Sequence, residues 1–271
     1  MADTIKYAGN LKGYSVLVTG GGTGIGAGCA KELIADGAAV TICGRRQDVL
    51  EETAEKIAPA AAFGGSVKVV TGDVTDEDSV KAMVSAAVEV TGKLDGCIAN
   101  AGGGGMLFGY ENMDTEEFLR VMNLNVLGTM LCVKHTLPHM IDAGGGSFIG
   151  MSSLAGHITH PWMGPYPVAK AGIEAMMRNC ADENGPHNVR FNAIRPGFVA
   201  TEMMEMIPRD GEVYESYIEN TPLGDVGQPD DIGYLARFLI SPESRWVTGQ
   251  CINVDGGHSL RRGPDFTSFK G

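Results

Sequence analysis

Tyr166 and Lys170 lie four residues apart in Tyr166-Pro167-Val168-Ala169-Lys170. On a helix that spacing puts a phenol and an ammonium on one face. A phenol titrates near ~10 and is a poor acid–base group at neutral pH, but a neighbouring cation favours its ionised form. Bringing it down by about three units takes roughly 4 kcal/mol of differential stabilisation. Such pairs are common on protein surfaces, so their company decides the matter. Ser152 and Ser153 end an apolar stretch fourteen and thirteen residues before Tyr166. A hydroxyl there can hold a reacting oxygen or merely cap a turn. Asn125 sits inside the apolar helical stretch NLNVLGTM, where a buried amide needs partners. The chemistry open to this group is proton transfer to or from an oxygen, with a preorganised donor beside it.

A second feature is the run Thr19-Gly20-Gly21-Gly22-Thr23-Gly24-Ile25-Gly26, which follows an apolar strand and opens a helix. Counted from Gly20 it reads GxxxGxG. Glycines here permit a tight turn and close approach of a pyrophosphate to backbone N–H groups at a helix N-terminus. No Lys-Ser/Thr pair closes the run, so it is not a Walker loop. Gly20, Thr23, Gly24, Ile25 and Gly26 are the expected nucleotide-binding residues of this turn.

The elements that must position these groups alternate along the chain. Short apolar strands are expected at 14–19, 38–43, 66–71, 94–100, 146–153, 189–195 and 250–255. Helical patterns fall at 24–36, 47–58, 76–90, 115–142, 164–183 and 229–240. That rhythm specifies an α/β fold: a doubly wound parallel sheet of about seven strands, with helices on both faces. There is no linker, charge block or repeat, so a single domain is expected over 1–271, with its core at about 11–257. The exceptions are a Met-rich insert at 202–221, in a stretch otherwise read as irregular, and a tail at 258–271.

The chain has 21 Lys plus Arg against 33 Asp plus Glu, a net charge of −12. That balance argues against nucleic acid or an anionic membrane as partner. No apolar run approaches the ~18 residues needed to span a bilayer, and the opening segment has no apolar block of the secretory kind. The six cysteines are scattered with no CxxC pair and read as buried thiols. A reducing, cytoplasmic setting is expected.

Taken together, seven segments resemble the short-chain dehydrogenase/reductase family: TGGGTGIG (19–26), DVTD (73–76), ANAG (99–102), NLNVLGT (123–129), Ser153 with YPVAK (166–170), RPGFVATEM (195–203) and VTGQCINVDGG (247–257). They occur in family order over about 11–257. The resemblance implies a Rossmann-like fold and hydride transfer between a nicotinamide cofactor and a carbonyl or secondary alcohol. Tyr166 would be the acid in reduction and the base in oxidation. Ser153, chosen over Ser152 by its spacing to Tyr166, would stabilise the reacting oxygen. Lys170 would bind the nicotinamide ribose and lower the Tyr166 pKa, and Asn125 would hold a water linking Lys170 to solvent. Asp73 and Val74 would flank the adenine, and Asn100 and Gly102 would support the sheet beside the cofactor. Pro196, Gly197, Val199 and Thr201 would line the nicotinamide. Ala99 departs from the second asparagine common in the family. The resemblance also implies a homo-oligomer, dimer or tetramer, paired through the helices at 115–142 and 164–183.

Cofactor choice is read at the end of the second strand, in Cys43-Gly44-Arg45-Arg46. A carboxylate there suits NAD; Gly44 followed by two arginines suits the 2′-phosphate of NADP. NADP is therefore expected over NAD, with Arg45 on the phosphate and Arg46 stacked on adenine. The competing functions are reduction of an enoyl thioester double bond and a catalytically silent nucleotide-binding scaffold or sensor. No metal is expected: His135 and His139 are four apart, but Pro138 interrupts them and no third ligand follows. His157 and His160 are expected as solvated loop histidines, with a place beside a small-molecule substrate as the alternative. Met203, Met204 and Met206 are expected to form an apolar lid over that substrate.

Overall fold

Seven strands carry short runs of apolar residues bounded by glycine, serine, threonine and asparagine. They are β1 (Ser15–Thr19), β2 (Ala39–Gly44), β3 (Ser66–Thr71), β4 (Gly96–Ala99), β5 (Gly146–Met151), β6 (Val189–Pro196) and β7 (Cys251–Val254). All pair in parallel in the order β3-β2-β1-β4-β5-β6-β7. The computed structural model describes residues 7–205, 207–261 and 263. Met206 of the expected lid, the side chain of Met203, and most of the tail lie outside the described residues or side chains.

Among the described residues there are eight α-helices: α1 (Gly24–Ala35), α2 (Gln47–Ile57), α3 (Glu77–Thr91), α4 (Thr115–Met122), α5 (Gly128–Asp142), α6 (Pro165–Asn184), α7 (Glu212–Asn220) and α8 (Pro229–Ile240). Side chains of a strand alternate between faces, and the two cores follow that alternation. Val16, Val18 and Ile98 pack with α1, α2 and α8 on one side. Leu17, Cys97 and Ala99 pack with α3, α5 and α6 on the other. Both faces of the central strands are covered, which is why they show no polar alternation. Strand order reverses between β1 and β4, and at such a switch point the carboxyl ends of the strands diverge into a crevice.

Three expectations need correction. The helical pattern at 115–142 is not one α-helix: a π-helical turn at Asn123–Leu127 separates α4 from α5, with the Gly128 N–H reaching back to the Asn123 carbonyl. Periodicity cannot show one inserted residue, since the rod continues on both sides. The 202–221 stretch contains α7, whose Val213 and Tyr217, spaced i and i+4, are buried. Cys29, Cys43, Cys97 and Cys132 are buried as expected, but Cys180 and Cys251 are only partly so; all six are free thiols.

Candidate active site

The glycine turn joins β1 to α1 at the crevice. Asn100, just past β4, clamps it: its Nδ2 donates to the Thr19 carbonyl at 3.0 Å and the Gly20 carbonyl at 3.1 Å. Thr19 Oγ1 in return accepts from the Asn100 and Ala101 N–H groups, each at 3.0 Å. Gly26 lies behind this wall, where a Cβ would stand 2.2 Å from the Gly20 oxygen and 2.6 Å from Asn100 Nδ2. Only glycine fits so close an approach. The first turn of α1 has no side-chain cap from Thr23 and no acidic residue. Its N–H groups and positive dipole end therefore face the crevice, as a pyrophosphate requires.

The catalytic candidates come from three elements. β5 ends at Met151, and Ser152 and Ser153 follow directly. Ser152 Oγ lies 2.8 Å from Glu174 Oε1 and 3.1 Å from the Lys170 carbonyl, so it fastens the strand end to α6. Glu174 is itself gripped by Arg195 through two contacts of 2.6 Å. Ser153 Oγ accepts from the Ala155 N–H at 3.1 Å and shares a hydrogen bond with the Tyr166 phenol. Lys170, one helical turn on, is 4% exposed, with Nζ 5.4 Å from the Tyr166 ring centroid and 2.9 Å from the Met151 carbonyl.

Burial raises the Tyr166 phenol above its ordinary value, and the bond from Ser153 opposes this. Burial pushes Lys170 down to about 8. The sequence leads one to expect Lys170 to hold the phenol low. In the chain itself desolvation dominates, and the two groups move in opposite directions.

Asn125 does not line the crevice; it is fully buried behind Gly102 and Gly103. Its amide is tied to the Gly103 N–H at 3.2 Å, the Gly103 carbonyl at 2.9 Å and the Val121 carbonyl at 2.9 Å. The π turn thus staples the loop after β4 to the helix. A Cβ on Gly102 would meet Asn125 Oδ1 at 2.6 Å and Lys170 Nζ at 3.2 Å.

Gly20, Thr23, Gly24 and Ile25 line one crevice together with Arg45, Arg46, Asp73, Val74, Asn100 and Gly102. Pro196, Gly197, Val199 and Thr201 line the same crevice, as do Ser153, Tyr166 and Lys170. Of the expected set, only Gly26 and Asn125 sit behind the surface. Asp73 accepts from the Thr75 backbone and hydroxyl, which with Arg45 hold it below the usual carboxylate range. Arg45 and Arg46 are exposed and form no salt bridge among the described residues.

Beyond Tyr166 the crevice is lined by Leu154, Met163, Phe198, Met204 and Tyr217, with His160 among them. His160 is 7% exposed and His157 is exposed, so the reading of both as solvated holds only for His157. Tyr217 stacks on Phe198 with centroids 4.5 Å apart. Sequence reasoning missed Met163 and Tyr217; the i, i+4 pair Val213 and Tyr217 was the available signal for the latter. Among the described residues no cluster of His, Cys, Asp or Glu could hold a metal ion.

A family model described as enoyl-(acyl carrier protein) reductase matches residues 20–259. A 2,5-dichloro-2,5-cyclohexadiene-1,4-diol dehydrogenase of Sphingobium indicum is 34% identical over 250 residues, covering 92% of this chain and 98% of its own. A 3alpha-hydroxysteroid dehydrogenase of Mediterraneibacter gnavus is 33% identical over 249 residues, covering 91% and 97%. The solved structure of a short-chain type dehydrogenase/reductase from Mycobacterium ulcerans superposes with a TM-score of 0.93 at 41% identity, covering 96% of this chain and 94% of that one.

Proposed function

The chain belongs to the short-chain dehydrogenase/reductase family and is an NAD(P)-dependent oxidoreductase of alcohol and carbonyl groups; from that premise we propose an NADP(H)-dependent enzyme that interconverts a cyclic secondary alcohol and its ketone. The observation that carries the chemistry is the Ser153–Tyr166 hydrogen bond beside a buried Lys170. The bound cofactor supplies the hydride in reduction and accepts it in oxidation. Tyr166 gives its proton to the carbonyl oxygen in reduction and takes it back in oxidation. Burial keeps that phenol protonated at neutral pH, which suits the acid role. Ser153 donates to the same oxygen as charge develops. Lys170 holds the ribose hydroxyls, and Asn125 fixes the loop behind it and holds the water of the proton relay.

In this reading Gly20, Thr23, Gly24, Ile25 and Gly26 hold the pyrophosphate. Asp73 and Val74 hold the adenine, Asn100 and Gly102 the floor, and Pro196, Gly197, Val199 and Thr201 the nicotinamide. Preference for NADP(H) is supported by Arg45 and Arg46 after Gly44, both exposed and in no salt bridge among the described residues, where a carboxylate would repel a 2′-phosphate. A cyclic substrate is supported by the two relatives' ring substrates and by the apolar lining of Leu154, Met163 and Phe198. The family model's description also suggests reduction of an enoyl thioester, but the Ser153–Tyr166 pair is suited to a substrate oxygen rather than a double bond.

The wider setting belongs to the same proposal. The segment 202–221 is a substrate lid, the protein is a homo-oligomer, and it works in the cytoplasm. Six free thiols support a reducing compartment. No described helix is long and apolar enough to cross a membrane.

Steady-state kinetics on ring alcohols and ketones with both cofactors test the reading. Tyr166→Phe should lower kcat by about 10²–10⁴-fold while cofactor affinity stays nearly intact; a fall of less than tenfold would remove the phenol from the mechanism. Wild type should favour NADPH, and Arg45→Ala should reduce that preference by about 10- to 150-fold, the worth of a charge-assisted hydrogen bond. A wild type that prefers NADH would sink the arginine reading alone.

A further inference from the structure

His160 is a polar side chain in the apolar end of the crevice that the proton-transfer set does not use. Its place relative to Tyr166 is fixed by two successive turns. The Met163 N–H donates to the His160 carbonyl at 3.3 Å, and the Tyr166 N–H donates to the Met163 carbonyl at 3.3 Å. Trp162 between them adopts φ 69, a left-handed conformation that bends the chain. These turns fix the His160 backbone, and the ring itself is held by its contact with the Ile158 carbonyl.

Its two nitrogens are in different situations. Nδ1 lies 3.0 Å from the Ile158 carbonyl oxygen. A carbonyl can only accept, so Nδ1 carries the proton. In the neutral ring Nε2 is then a bare acceptor. It makes no hydrogen bond to any described residue, and it is not among the described polar atoms sealed from solvent. Since His160 lines the crevice and Nδ1 is taken by the Ile158 carbonyl, Nε2 is the nitrogen left to meet a ligand there. Burial, aided by the neighbouring His258 and opposed by the Ile158 bond, lowers the His160 pKa and keeps the ring neutral at pH 7.

A neutral acceptor in an apolar wall is best matched by an uncharged donor. A carboxylate would set its lone pairs against Nε2, and an ammonium would lose its hydration among Leu154, Met163 and Phe198. A purely apolar substrate would bury Nε2 without a partner. A site built to bond a hydroxyl discriminates against the analogue that lacks it.

We propose that His160 is a substrate-positioning residue whose Nε2 accepts a hydrogen bond from a second hydroxyl of the substrate, so that the enzyme selects ring diols and hydroxyketones over ring mono-alcohols. This rests on the alcohol and carbonyl reading above. The test is kcat/KM for cyclohexanol and for cyclohexane-1,2-, 1,3- and 1,4-diol with each cofactor, in wild type, His160→Leu, His160→Phe and His160→Gln. Wild type should prefer at least one diol by about tenfold or more. Leucine and phenylalanine should cut that ratio to about threefold or less. Glutamine, whose amide oxygen accepts, should keep most of it. Phenylalanine retains the ring volume and decides the matter where leucine fails to fold. A wild-type ratio below about threefold for every diol overturns the inference, as does a ratio that survives in either apolar variant. If wild type oxidises none of the four alcohols, the ring-alcohol reading itself falls and takes the inference with it. Turnover without discrimination overturns the His160 role alone.

Discussion

A lysine at 4% exposure is a cost to the fold unless something needs it charged. Lys170 has its pKa pushed down to about 8 by burial. Its folded value lies below the unfolded value of about 10.4, so the unfolded chain binds the proton more tightly. The stability penalty is therefore fully present below pH 8 and is relieved as pH rises from 8 toward 10.4. The shift corresponds to about 3 kcal/mol. Part of that is offset by the bond to the Met151 carbonyl at 2.9 Å. Lys170→Met should therefore raise stability at pH 7 by about 1–2 kcal/mol, a few degrees in Tm, while abolishing turnover. Thermal melts at pH 7 and pH 10 check this: the gain should shrink at the higher pH. A loss of stability at pH 7, or a gain independent of pH, would show that burial is not what governs this lysine. The pairing of Tyr166 with Lys170 was legible because residue type and spacing are local. The direction of the phenol's shift was not, because it depends on burial by segments distant in sequence. The burial of His160 was hidden for the same reason.

The strand–helix rhythm was legible because each buried strand had to be a short apolar run and each helix an amphipathic one. What escaped was irregularity within helices and order within a loop. The π turn at Asn123–Leu127 leaves the apolar period almost intact, yet it carries the Asn125 side chain that fastens Gly103. Helix α7 was masked by its acidic residues and the surrounding methionines. It builds a third, small apolar cluster of Ile207, Val213 and Tyr217, with Trp162, Phe198 and Met204 packed against it. That cluster stands apart from the two main cores, so its opening exposes little apolar surface and costs little. Of these, Phe198, Met204 and Tyr217 also line the crevice, as the proposed lid requires. Peptides spanning 202–221 are expected to exchange amide hydrogens quickly in the free protein. Cofactor and substrate together should slow them on the minutes scale. Equal exchange with and without ligands would mean that α7 is a fixed wall.

At the scale of the whole molecule, apolar surface remains that the fold does not cover. Leu119, Met130 and Val168 are 52%, 37% and 43% exposed, and they lie on α4, α5 and α6. These are the helices on which pairing is expected. A two-fold axis over them would bury the same patch on both subunits. Trp246 at 90% and Leu260 at 82% expose further apolar surface from which a second contact can make a tetramer. Opposing this, each chain carries a net charge of −12, so copies repel at long range. The two effects respond differently to salt. Screening weakens the repulsion, with a Debye length falling from about 30 Å at 0.01 M to about 10 Å at 0.1 M, while apolar burial persists. Association should therefore strengthen as salt is added, the reverse of an interface held by ion pairs. Light scattering at micromolar concentration should give an oligomeric mass at 0.1 M salt. Val168→Glu combined with Met130→Glu should shift it to monomer with a Tm that no longer depends on protein concentration. A monomeric wild type under those conditions refutes the assembly. An oligomer that the double variant leaves intact would move the interface away from α5 and α6.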